Sequence, residues 1–154
     1  MTQYFFDTSA FAKRYHVEAG SDRVGLIFRG GPNSRYRISR LTVMETQSAF
    51  ATKVRTGHIT PNMAISLLDL MLQDVSDGIV ELIELERVHF SSAADLVWKY
   101  GFERRMRTLD AIQLAVALDL RSKGLLDIFV VADKILAEMA MLEGLPVLNP
   151  EVAS

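Results

Sequence analysis

The stretch RTLDAIQLAVALDLRSKG, residues 107–124, decides how the chain is read. It predicts a helix from Thr108 to Lys123, ended by Gly124. Leu109, Ile112, Val116 and Leu120 fall along one side, and Leu114 and Leu118 cover another. Such a helix is expected to be buried on most faces. Asp110 sits in its first turn, with Gln113 three residues on and therefore on the same face. A polar pair on an otherwise apolar helix points to a cleft, with Gln113 supporting Asp110 and Thr108 capping the helix entrance.

Working outward, short apolar runs alternate with longer amphipathic ones. On the C-terminal side, Ile128–Ala132 reads as a buried strand, Lys134–Glu143 as a helix closed by Gly144, and Pro146–Leu148 as a short strand. On the N-terminal side, Phe90–Tyr100 reads as a helix and Ile79–Leu85 as a strand. Thr60-Pro61 opens a helix with Ile65, Leu68, Leu72 and Val75 on one face, stopping near Asp77-Gly78. Leu41 to about Thr56 is a helix preceded by a strand at Tyr36–Ser39, and Gly30–Asn33 is a loop. Gln3–Phe6 is a strand stopped by Asp7-Thr8-Ser9, where Thr8 or Ser9 could cap the next helix. Strands alternating with helices imply a parallel sheet covered on both faces. Ligands in such sheets sit at the carboxyl ends of the strands, near a switch in strand order.

Four acids are expected at that edge. Asp7 and Asp133 follow strands directly, Glu45 lies early in the helix after the second strand, and Asp110 opens the buried helix. Carboxylate oxygens around one cleft suit Mg²⁺ or Mn²⁺ rather than zinc. His16, His58 and His89 are scattered and expected at the surface. Each acid also has a structural explanation. Carboxylates near helix N-termini are favoured by the free N–H groups and the dipole, by about 0.3–1 kcal/mol. Thr42-Val43-Met44-Glu45 fits a capping box in which Glu45 folds back onto Thr42. The functional reading rests on all four acids sharing one edge.

Composition sets the outer limits. The chain has 154 residues, 49% of them hydrophobic, a usual size for one domain. It has no cysteine, so disulfides and thiolate metal sites are excluded. No apolar run is long enough for a membrane span, and the N-terminus does not read as a signal peptide, so a cytoplasmic protein is expected. The net charge of −2 is unpromising for a nucleic-acid partner. With four acids assigned to one site, however, seventeen basic residues face fifteen acidic ones elsewhere. The basic residues also cluster, as Arg35, Arg37 and Arg40 and as Arg104, Arg105 and Arg107. Either cluster is a solvated loop or a surface for a phosphate backbone.

Four stretches together resemble the PIN-domain family, and in particular its VapC-type toxin branch. They are FFDTSAFAKRY at 5–15, SRLTVMETQSAF at 39–50, RTLDAIQLAVAL at 107–118 and FVVADKILAEMA at 129–140. The resemblance runs from Tyr4 to about Pro150, in order and on the expected elements. It implies a single PIN domain over 1–154, α/β in class, with a three-layer α/β/α fold around a central, mainly parallel sheet. It implies a Mg²⁺- or Mn²⁺-dependent endoribonuclease whose catalytic and metal-holding acids are Asp7, Glu45, Asp110 and Asp133. Thr8, Ser9, Thr108 and Gln113 would support metal or substrate, and Arg40, Arg104, Arg105 and Arg107 are candidates for binding RNA. It further implies a cognate antitoxin and a homodimer, for which the apolar faces around Leu68–Leu72 and Ala137–Met141 are candidates, although core packing explains both. Many relatives carry His where this chain has Gln113, which cannot titrate near neutral pH.

Other readings compete. One is a non-catalytic PIN-like interaction module, although such a module has no reason to keep crowded carboxylates. Another is a PIN nuclease acting on DNA or structured flaps. A haloacid-dehalogenase-like phosphatase needs an Asp two residues after the first, where this chain has Ser9. A receiver domain needs an acid pair ahead of its phosphoacceptor strand, and Asp7 stands alone.

Overall fold

A computed structural model describes residues 1–153. The strands are β1 (Thr2–Phe6), β2 (Ser34–Ser39), β3 (Val80–Ile83), β4 (Ile128–Val130) and β5 (Val147–Leu148). The helices are α1 (Thr8–Phe11), α2 (Ser21–Phe28), α3 (Arg40–Arg55), α4 (Pro61–Ser76), α5 (Arg87–Tyr100), α6 (Thr108–Ser122) and α7 (Lys134–Leu142). The five strands form one all-parallel sheet in the order β3-β2-β1-β4-β5. The chain walks outward from β1 to β3 and then returns to place β4 against the other side of β1. The strand order therefore switches between β1 and β4, and a crevice is expected at their carboxyl ends.

Strand alternation builds two cores. Phe5 and Phe129 pair across β1 and β4 with ring centroids 5.6 Å apart, and they pack with residues of α5, α6 and α7. Phe6 and Val130, one residue on, face the opposite side and pack with Ala10, Phe11, Val24 and Met71. This is the expected three-layer α/β/α arrangement. Phe5, Phe6 and Phe129 are fully buried, and truncating any of them to alanine should cost about 3–5 kcal/mol.

The central helix is where the sequence put it. Residues Asp110 to Ala117 are all buried, and Gly124 ends the segment with a φ of 68° that suits glycine. Several local expectations change. Leu109 is 44% exposed and does not join the buried side. In α4, Ile65 and Leu72 are exposed, Leu68 and Val75 are partly buried, and only Met71 is fully buried. His89 is buried rather than at the surface. Its Nδ1 accepts from Glu86 N–H at 3.0 Å, within a capping box, and its Nε2 meets Asp119 at 3.1 Å. Helix α2 had no separate expectation, since Gly20 and Gly25 obscure a helical signal there.

Candidate active site

Asp7 leaves β1 still bonded to the sheet, its N–H donating to Val130 O of β4 at 3.0 Å. Its side chain caps α1 and buries all but 5% of the residue. Neither Thr8 nor Ser9 is the cap. Ser9 instead clamps the acid, because its N–H and Oγ both donate to Asp7 Oδ2, at 3.1 and 2.6 Å. Ser9 Oγ also accepts from the N–H groups of Ala132 and Asp133, at 3.0 and 3.1 Å. One hydroxyl thus ties the two acids across the strand switch. Burial pushes the Asp7 carboxyl up to about 6; the Ser9 bonds oppose this, and the charges of Glu45 and Asp110 add to it.

Glu45 is not part of a capping box. The helix begins at Arg40, directly after β2, so Ser39 rather than Thr42 is the N-cap, and its Oγ accepts from Thr42 N–H at 3.4 Å. A serine at the end of the expected Tyr36–Ser39 strand was the sequence signal for this cap. Glu45 lies in the second turn, where its Oε1 accepts from Thr8 Oγ1 at 2.8 Å and Gln113 Nε2 at 3.1 Å. Gln113 is fully buried. Its Oε1 accepts from Ser39 Oγ at 2.9 Å, and its Nε2 donates to Thr42 Oγ1 at 2.7 Å. These bonds fix which end of the amide faces Glu45. Gln113 therefore supports Glu45 more directly than Asp110, and Ser39 and Thr42 join the site without having been anticipated.

Asp110 is buried in the first turn of α6, and its Oδ2 accepts from Arg107 Nε at 3.0 Å. Burial raises its carboxyl, Arg107 opposes that shift, and the nearby Asp133 charge raises it further. Thr108 makes no capping bond, since Arg107 occupies the N-cap position and no side chain caps the helix. Asp133 caps α7, its Oδ1 accepting from Leu136 N–H at 2.8 Å. Arg107 Nη2 approaches Asp133 Oδ2 at 3.7 Å and so bridges two of the four acids. A cavity of about 220 Å³ is lined here by Arg105, Arg107, Asp110, Asp133 and Ile135. Another, of about 280 Å³, opens among Phe28, Arg35, Tyr36 and Ile79 at the opposite edge and touches none of these acids.

The arginines separate by partner. Arg37 is buried and structural, bonding Glu81, Gln3 and the Leu125 carbonyl. Arg40 pairs with Glu84, and Arg104 with Glu138. Arg105 makes no ion pair or hydrogen bond among the described residues and faces the acidic cavity.

The donor set has the chemistry a hard divalent cation requires. All four acids offer oxygen, and Asp7, Glu45 and Asp110 each engage the protein through one oxygen only. Their other oxygens have no protein partner among the described residues. As they stand, no three Asp, Glu or His side chains among those residues form a ready metal cage. Arg107, with a side chain 66% exposed, supplies positive charge between Asp110 and Asp133.

No family model and no curated protein matches the chain by sequence. Solved structures do match. Mycobacterium tuberculosis VapC20, described as a toxin that cleaves the sarcin–ricin loop, aligns with a TM-score of 0.66 at 18% identity, covering 98% of this chain and 99% of that one. VapBC2 of Rickettsia felis, solved on a fragment of its promoter DNA, aligns with a TM-score of 0.62 at 14% identity, over 95% and 97% of the two chains. VapBC-1 from nontypeable Haemophilus influenzae gives 0.59 at 17% identity, over 97% and 98%. With near-complete overlap in both directions, the chain has the PIN-domain fold of the VapC type.

Proposed function

We propose that this chain is a divalent-metal-dependent endoribonuclease, the toxin of a type II toxin–antitoxin pair. The observation that carries the reading is the convergence of Asp7, Glu45, Asp110 and Asp133 on the strand switch, with the Asp7 carboxyl raised by burial and by its acidic neighbours. Protein interiors do not hold ionised carboxylates together without a compensating cation. The similarity to VapC toxins supports the same reading.

In this reading Asp7, Glu45, Asp110 and Asp133 hold Mg²⁺ or Mn²⁺. The ion would activate water, neutralise the scissile phosphate and stabilise the leaving oxygen. The chain's own groups do the positioning. Ser9 fixes Asp7 against the carboxyl end of β4, and Thr8 and Gln113 fix Glu45. Arg105 and Arg107 stand at the cavity mouth, where a phosphate backbone would enter. An antitoxin partner and a homodimer belong to the same proposal, the former supported by the VapBC complexes of matching fold. No helix among the described residues is long and apolar enough to cross a membrane.

The test is cleavage of unpaired RNA by purified protein with Mg²⁺ or Mn²⁺, and its arrest by EDTA. Asp110→Asn should lower the rate by at least ~10²-fold, about 3 kcal/mol of transition-state stabilisation. Undiminished cutting by that variant would remove the site assignment. Binding of RNA without cleavage under any metal would favour an interaction module instead.

A further inference from the structure

Helix α5 ends with two aromatic rings in solvent. Trp98 is 73% exposed and Phe102 is 75% exposed. They are four residues apart, and their rings pack edge to face with centroids 4.9 Å apart and planes at 70°. Tyr100, between them, turns the other way into the core. Val88 and Phe90 of the same helix are also about half exposed, as are Met141 and Leu142 of α7, whose neighbour Glu143 bonds Lys99 and Tyr100. Nearest the two rings along the chain, the exposed residues Ala94, Asp95, Lys99 and Glu103 are small or charged. Two rings of this size left in water offer a contact surface.

The chain that follows leads to the acids. Arg104 reaches Glu138 of α7, Arg105 lines the acidic cavity, and Arg107 touches Asp110 and Asp133. Arg107 is five positions after Phe102, a span of at most about 18 Å. That length matches a few nucleotides of extended single strand.

We infer that Trp98 and Phe102 form a stacking subsite for an unpaired base of a single-stranded RNA, whose backbone runs past Arg105 to the acidic cavity. The inference rests on the nuclease reading above and names the form of its substrate. The chemistry separates along the track. A base is uncharged and has a π face, so it stacks on an indole beside Asp95 and Glu103 without repulsion. The adjoining phosphates are anionic and require the unpaired guanidinium of Arg105. The two ring planes lie at 70°, so the rings do not stack on each other. A duplex would keep its bases stacked inside and could not use the rings.

Trp98 is the chain's one tryptophan, so its fluorescence reports directly on the subsite. The experiment titrates the protein in EDTA, which stops metal-dependent cutting, with a ten-nucleotide oligoadenylate. Binding is followed in parallel by anisotropy of the labelled oligomer. We expect saturable quenching with the same midpoint as the anisotropy, and little quenching by a duplex of equal length. Trp98→Ala and Phe102→Ala should each weaken binding by about 5- to 100-fold. Both positions are exposed, so melting temperatures should barely move. In cleavage assays with metal, the loss should appear in KM.

Anisotropy-detected binding without quenching, and unaffected by either substitution, overturns the subsite and leaves the nuclease reading intact. Equal quenching by duplex also overturns it. Quenching and weakened variants without any cleavage sustain the subsite and remove the nuclease. A change of oligomeric state in Trp98→Ala, with RNA binding unchanged, assigns the pair to an interface between copies of the chain.

Discussion

Replacing Asp7 with asparagine separates what the carboxylate does for the fold from what it does for chemistry. The unfolded chain ionises Asp7 near the ordinary value of 3.8, whereas the folded protein holds its proton up to about 6. Below the lower value both states are protonated and the residue costs nothing. Between the two, the unfolded chain has lost a proton that the fold keeps, so stability falls as pH rises. Above about 6 both states are ionised and the cost is constant. At about 1.4 kcal/mol per pH unit, the total is about 3 kcal/mol. Asparagine is neutral at every pH, and its side-chain oxygen can still accept both Ser9 bonds and cap α1. Asp7→Asn should therefore match the parent near pH 3.5 and exceed it by up to about 3 kcal/mol at pH 7.5. For a domain of this size that is about 6–12 °C in melting temperature. The assay is a series of thermal melts from pH 3.5 to 8 without metal, repeated with Mn²⁺ at pH 7.5. Mn²⁺ should raise the parent's melting temperature, since it binds the folded state, and should raise the variant's far less. A variant less stable than the parent at pH 7.5, or a difference independent of pH, would refute the reasoning and return Asp7 to a purely structural cap.

Glu45→Gln keeps an oxygen for Thr8 and Gln113 and should leave the melting temperature within a few degrees, while RNA cleavage falls; normal turnover would make Glu45 structural. Ser9→Ala leaves the N–H groups of Ala132 and Asp133 without their acceptor and should cost about 1–3 kcal/mol in denaturant unfolding. A loss under 0.5 kcal/mol would mean that water replaces the hydroxyl readily. Arg105→Ala should reduce the salt dependence of RNA binding by about one counterion, whereas Arg104→Ala, which breaks a pair with Glu138, should change it less; equal slopes would return Arg105 to a solvated loop.

The sequence alone determined the features that depend on short-range pattern. An apolar helix at Thr108–Ser122, an acid directly after β1 and another at the end of the apolar run that holds β4 follow from side-chain periodicity and chain punctuation, although β4 itself ends at Val130, short of the expected Ala132. That alternation is enough to require a parallel sheet and to put Asp7 and Asp133 at its carboxyl edge. The tertiary structure decided everything that depends on which of several local options a neighbour satisfies. Ser39 and Thr42 both offered a helix cap, and the end of β2 selected Ser39, which freed Glu45 for Thr8 and Gln113. Arg37 and Arg105 look alike in sequence, but one is buried against Glu81 and the other faces the acids. His89 reads as a scattered surface residue until Asp119, thirty positions away, is packed against it. Ser9 could be read as a helix cap, yet its hydroxyl joins the ends of two strands that only the sheet brings together. Periodicity is a property of neighbours along the chain, whereas a site is made by neighbours across it.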